Sequence, residues 1–100
     1  MAENREGSRY EVFSGDQRAG YSAYRLEDNA IAILHTDIDD RFQGQGLGSE
    51  LASRMLEDAR ERGLAVLPYC PFIQEYMATH PRFAELVPEA RRAEFGLGGT

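Results

Sequence analysis

The sequence predicts a mixed α/β domain in which antiparallel strands lead into a parallel strand-helix-strand unit and short helices close the chain. Three observations predict it. Strand-like alternation runs from Arg9 to Ile38, a strongly amphipathic segment follows from Leu47 to Arg62, and a short apolar run, Leu64 to Leu67, comes directly after that helix. A helix placed between two strands is the crossover that parallel pairing requires.

The elements follow in order. Arg9 to Phe13 alternates weakly and ends at the turn residues Ser14-Gly15-Asp16, which predicts a hairpin into a second strand from Arg18 to Leu26. Glu27-Asp28-Asn29 makes the next turn. The strand signal strengthens from Ala30 to Ile38, where the two-residue period puts Ile31, Ile33, His35 and Asp37 on one face and Ala32, Leu34, Thr36 and Ile38 on the other. The first face turns polar at its C-terminal end, which places His35 and Asp37 beside the following loop.

In the helix, Leu47, Leu51, Met55 and Ala59, joined by Ala52 and Leu56, form an apolar stripe. Glu50, Arg54, Glu57, Asp58, Glu61 and Arg62 take the opposite side, and Gly63 ends the helix as its C′ residue. Leu64 to Leu67 reads as a buried strand returning beside Ala30 to Ile38. Pro68 and Pro71 bracket Tyr69-Cys70. Pro71 suits the first position of a helix from Phe72 to Thr79, because its missing N–H is one that a helix start cannot use. Pro81 pushes His80 out of the α region and stops that helix. A short helix from Arg82 to Leu86 and a helical stretch within Glu89 to Phe95 complete the pattern. The glycines after Phe95 read as a tail, so the expected organisation is a flexible N-terminus over 1–8, one domain over 9–88 and a C-terminal tail over 89–100.

Composition sets limits on function. One hundred residues, 42% hydrophobic and 28% charged, suit one compact domain with a single modest core. No apolar stretch is long enough to span a bilayer, and the polar first residues lack a signal-peptide pattern, so the cytoplasm is the expected compartment and no membrane partner is expected. A net charge of −6 argues against a nucleic-acid partner, which needs clustered cations to displace counterions, and favours a cationic or amine-bearing one. Cys70, the lone cysteine, is either a small buried hydrophobe or a functional thiol.

The loop Gln43-Gly44-Gln45-Gly46-Leu47-Gly48 carries the most chemistry. Unpaired amides at a helix N-terminus share the positive end of the helix dipole and bind phosphate without a lysine. Glycines keep Cβ atoms out of the ligand's way. A P-loop is excluded because Gly48 is followed by Ser49-Glu50 and the chain has no lysine at all. A dinucleotide fingerprint fits poorly, with Ser49 where its third glycine belongs and Leu67-Pro68 where an acidic residue should end the next strand. Cys70, His35 and His80 lack zinc-ligand spacing, and Asp37, Asp39 and Asp40 lack the glycine and distal glutamate of a calcium loop, so no metal is expected.

The remaining pattern, Gln/Arg-x-x-Gly-x-Gly/Ala at Gln43, Gly46 and Gly48, resembles the pyrophosphate loop of the GNAT N-acetyltransferase superfamily. His35-Thr36-Asp37-Ile38, the glycine loop, Gly63 to Ile73, Tyr76 and His80-Pro81 stand in the order and spacing of a small, single-domain GNAT-like subfamily. The resemblance spans Arg9 to Val87 and implies a truncated GNAT fold that uses acetyl-CoA (coenzyme A after transfer) and acetylates a primary amine of a small molecule, a protein lysine or an N-terminus. It implies that Ile38 pairs with the pantetheine arm, that Gln43, Gly44, Gln45, Gly46, Leu47 and Gly48 hold the pyrophosphate, that the thioester lies beside Leu67 to Cys70, and that Pro71 is among the cofactor-binding residues.

As catalytic candidates the resemblance offers Cys70 as acid or acetyl carrier and Tyr76 as proton donor to the leaving thiolate. His35 has a proton affinity suited to a base. For Tyr76 and His35, too, purely structural roles stand beside the catalytic ones. Gln43 and Gln45 replace arginines common in the superfamily, which implies weaker, more backbone-dependent cofactor binding. A chain this short lacks the N-terminal helices that shape larger acceptor pockets. A binding module that senses or regulates through acyl-CoA without turnover is the first alternative function, and a structural adaptor whose glycine loop is only a turn is the second.

Overall fold

The structure is a computed structural model describing residues 8–97 in full and residues 2–4 at the level of the backbone. Five strands form one sheet in the order β1 (Ala2–Asn4), β2 (Arg9–Ser14), β3 (Gln17–Glu27), β4 (Ala30–Ile38) and β5 (Ala65–Pro68). β1 to β4 pair antiparallel and β4 with β5 parallel, the crossover being helix α1 (Leu47–Glu61). Helices α2 (Pro71–Ala78) and α3 (Pro81–Ala84) follow, each with a proline at its start, as expected for Pro71, whereas Pro81 was expected only to stop α2 ahead of a helix from Arg82 to Leu86. The mixed α/β fold expected from the sequence is the one observed.

Alternation in the sheet is broken twice. Val12 pairs with Gly20 but Phe13 with Arg18, leaving Ala19 as an extra residue in β3. Tyr24 pairs with Ile33 but Ala23 with His35, leaving Leu34 as an extra residue in β4. Each bulge reverses which face the following residues take.

The core lies between the sheet and α1. Leu51, Ala52, Met55, Leu56 and Ala59 of the helix are buried, together with Tyr10, Val12, Tyr24, Ile31, Ile33 and Val66 from the strands. Removing Leu51, Met55 and Leu56 from water contributes roughly 1.5–3 kcal/mol each. The Tyr10 hydroxyl donates to the Asp58 carboxylate, tying β2 to the last turn of α1. Gly63, at φ 70°, ends the helix as its sequence position predicts.

Two terminal expectations are corrected. Within the stretch expected to be flexible, Ala2–Asn4 pairs with β2, because the open backbone edge of β2 takes a strand whatever its side chains; the rest of 1–7 lies outside the described residues. The expected tail is largely packed. Its short 3-10 turns, Glu89–Arg91 and Ala93–Phe95, bury Phe95 and Leu97 in the core. Gly96, at φ 76°, acts as a helix-ending residue that turns the Leu97 amide back to the Arg92 carbonyl (2.7 Å). Arg91 fastens this segment by donating to the Tyr69 hydroxyl and to Glu94, each at 3.0 Å, while Tyr69 packs edge-on against Phe95. On the outer edge of β5 the Val66 amide donates to the Leu86 carbonyl at 2.9 Å.

Candidate functional site

β4 outruns its parallel partner. Pairing with β5 covers only Ala30 to Ile33, after which the Tyr69 amide takes the Ile33 carbonyl at 2.9 Å and the chain turns away into α2. Antiparallel pairing sends the backbone groups of alternate residues to opposite edges. The Asp39 amide bonds the Ala19 carbonyl of β3 (2.7 Å), so Asp39 and Asp37 point their backbone groups toward β3. Thr36 and Ile38 therefore point theirs the other way, into the gap left by β5.

That gap opens into a groove of about 350 Å³. Thr36, Asp37 and Ile38 form one wall, Phe42, Gln43 and Gly44 the rim, and Gly46, Leu47, Gly48, Ser49 and Phe72 the far side. The rim begins with a 3-10 turn, Asp40–Phe42, capped by the Asp39 side chain, whose Oδ1 accepts from the Arg41 amide at 2.9 Å. The Arg41 guanidinium also grips Asp39, at 3.2 and 3.3 Å. Those two hydrogen-bonding interactions, side chain first, hold the Asp39 carboxyl below its ordinary value. The cation nearest the loop in sequence is thereby engaged.

Gly44 and Gly46 have φ of 83° and 76°, and a Cβ on either would meet nothing within 4 Å. Glycine is needed there for the backbone turn, and the space outside is open. Gly46 caps α1 without a side chain, and Glu50 is the first amide of the helix to find a backbone acceptor, on Gly46 (3.0 Å). Among the described residues, the amides of Leu47, Gly48 and Ser49 have no backbone acceptor. Three donors at the positive end of a fifteen-residue helix, beside an open groove, suit a diphosphate. Gly48 has a different role. A Cβ there would lie 2.8 Å from Cζ of Phe72, so its bare backbone lets the ring close the groove against the helix.

The groove brings together Ile38, Gln43, Gly44, Gly46, Leu47 and Gly48, all expected from the sequence. Gln45 and Pro71 are exposed and are not among its lining residues. The backbone amide of Gln43 is turned back to the Asp40 carbonyl at 3.4 Å, and its side chain donates to the Ile38 carbonyl at 3.1 Å. Thr36, Phe42, Ser49 and Phe72 join the lining without having been expected there. Thr36 was legible, because it shares the edge of Ile38 two residues on. Phe72 was not, since only the Gly48 contact places it.

The three catalytic candidates lie elsewhere. The Leu34 bulge puts Thr36 and Ile38, not His35 and Asp37, on the face of Ile31 and Ile33. The Thr36 hydroxyl accordingly sits 2.8 Å from that of fully buried Ser22. His35 turns to the opposite face, its ring 5.9 Å from Tyr21. Asp37 keeps its place at the groove because it stands at the strand end, where it also borders a 90 Å³ recess with Arg18, Tyr21 and Asp39. Cys70 precedes α2 as its N-cap residue and is only 3% exposed. The Tyr76 ring is stacked on His80 at 4.0 Å, with Phe83 of α3 beyond it at 6.1 Å.

The family follows from the sequence. A profile of GCN5-related N-acetyl-transferases matches residues 9–86, and the chain belongs to that family. Among solved structures, an NMR solution structure of a "GCN5-like putative N-acetyltransferase" from Staphylococcus aureus is similar with a TM-score of 0.65 and 24% identity, over 81% of this chain and 81% of that one. At that identity the likeness shows a shared fold. No curated protein matches the chain. Family and fold together support acetyltransferase activity in general.

Proposed function

We propose that the groove binds acetyl-CoA and that the chain transfers the acetyl group to a primary amine. The observation that carries this reading is the convergence on one groove of two unlike features, an open strand edge at Thr36 and Ile38 and the uncapped start of α1. The first suits an amide-bearing arm and the second a diphosphate.

When bound, acetyl-CoA supplies an activated acetyl thioester. The chain's own part is to hold the diphosphate on the amides of Leu47, Gly48 and Ser49 and to align the arm along Thr36 and Ile38. Phe72 excludes water from the inner end. Such positioning is a large share of catalysis for a reaction between a thioester and a good nucleophile. The neutral amine forms the new C–N bond as the C–S bond breaks, and the amine's proton balances the charge of the departing thiolate. With Cys70 buried at the start of α2, direct attack by the amine is favoured over passage through an acetyl-cysteine.

A second reading has its own support. His35, Cys70 and Tyr76 are all absent from the groove lining, an arrangement that also suits a module that binds acyl-CoA without turning it over. Calorimetric titration with acetyl-CoA, CoA and free pantetheine tests the cofactor, and a panel of amines tests turnover. Binding of both cofactors well above pantetheine supports the groove, and product formation with any amine supports the transferase. Absence of binding by all three would sink both readings.

A further inference from the structure

The acceptor that the proposed pantetheine arm would use is already taken by the protein itself. Gln43 Nε2 donates to the Ile38 carbonyl at 3.1 Å, across the rim of the groove that both residues line. Gln43 is exposed, so water could satisfy its carboxamide equally well, yet the side chain folds back onto the strand edge. The Ile38 carbonyl faces the gap left by β5, where the backbone of β4 has no strand partner. A carboxamide N–H there has the same chemistry as the amide N–H of a pantetheine arm.

We infer that the Gln43 side chain is an internal competitor for the arm, a positioning residue that sets the affinity for every ligand carrying it. The inference rests on the reading of the groove as an acetyl-CoA site. The Ile38 carbonyl has two lone pairs, so the carboxamide competes with the arm for the space at the rim as well as for the oxygen; an arm that displaces it to solvent leaves the free protein stabilised by one hydrogen bond that the complex lacks. The competent state is then a fraction of the whole, and apparent affinity falls by that fraction. A net hydrogen bond to a carbonyl corresponds to a factor of about two to ten in an equilibrium constant. A ligand that has only the phosphates leaves the carboxamide in place and escapes this factor.

The experiment compares three ligands, CoA, pantetheine and the nucleotide half of CoA (3′-phospho-ADP), against the parent protein, Gln43→Met and Gln43→Ala. Methionine keeps the length of the side chain and removes the donor. Both variants should bind CoA and pantetheine about two- to tenfold more tightly, by a common factor, and the nucleotide half within twofold of the parent. In the parent, the side-chain NH2 resonances of Gln43 should move to solvent-exposed positions on adding pantetheine and hold still on adding the nucleotide. Unchanged or weaker binding of CoA and pantetheine by both variants overturns the competitor role, as does equal tightening for all three ligands, which would indicate a loosened loop. A parent protein that binds none of the three overturns the acetyl-CoA reading and this role with it.

Discussion

Phe72 occupies the space that a side chain on Gly48 would need, its Cζ lying 2.8 Å from where that Cβ would stand. The ring is the movable partner, because a side chain swings more easily than the first turn of α1. Gly48→Ala should therefore push Phe72 out of place with little cost in stability, since alanine regains up to ~1 kcal/mol of helix propensity. The expected result is a melting temperature within a few degrees of the parent and weakened CoA binding, with Gly48→Ala/Phe72→Leu restoring part of it. CoA binding by Gly48→Ala at parental strength would show that the ring has no part in the groove.

Gly46 gives the opposite result with the same substitution. An L-residue forced to φ 76° costs about 1–2 kcal/mol, although open space surrounds the position. For a domain of this size that is a fall of several degrees in melting temperature. Gly46→Ala should thus melt clearly below Gly48→Ala in parallel thermal scans.

Thr36 and Ser22 form a pair that the β4 bulge creates. Thr36→Val leaves the Ser22 hydroxyl buried without its partner, which costs about 1–3 kcal/mol. Ser22→Ala/Thr36→Val removes both groups and should recover most of that loss in urea denaturation, the non-additivity measuring the coupling. Additive losses would mean that the two hydroxyls do not depend on each other.

Acid should loosen the ends of the groove rim and of the chain. The Arg41 hydrogen bonds hold the Asp39 carboxyl, and those of Arg91 the Glu94 carboxyl, below the ordinary carboxylate range. A carboxyl lowered on folding stabilises the fold above its unfolded value and loses that contribution as pH falls through the folded one. Protection of residues 89–97 from hydrogen exchange, referred to intrinsic rates, should be steady from pH 7 to 5 and decline below about 4.5. Glu94→Gln should lessen that decline, and an unchanged decline would show that the Arg91 pair has no part in it.

Cys70 should behave as a core thiol. Its reaction with an aromatic disulfide reagent should be slow in the native protein and fast in denaturant, given its 3% exposure. If transfer is direct, Cys70→Ala keeps acetyl transfer to the best amine of the panel, with a stability loss of about 1 kcal/mol. Loss of transfer with CoA binding intact would return the cysteine to the chemistry.

Regular elements were legible where local rules act alone. The turn at Ser14 to Asp16, the apolar stripe of α1, Gly63 as its stop and Pro71 as a first helical residue all stand where side-chain pattern puts them. The Leu34 bulge was invisible, because alternation counts residues and cannot see one left out of pairing. The facing of His35 went wrong for that reason. The C-terminal segment misled differently. Its glycines suggested a loose tail, but Gly96 makes a specific turn that delivers Phe95 and Leu97 to the core. Loop residues of the site were recognisable from their spacing, whereas Phe72 enters through a tertiary contact that no spacing encodes.

The bond from the Val66 amide to the Leu86 carbonyl has a bearing on how crowded copies of this protein meet one another. A bare sheet margin is a template onto which a second chain can add a strand, and β5 would offer one, although Pro68 at its end has no N–H to give. Here the segment after α3 already sits against that margin and uses the donor at its centre. Cutting the chain before Leu86 would bare the margin, and the shortened protein should form sheet-rich aggregates at concentrations where the whole chain stays dispersed.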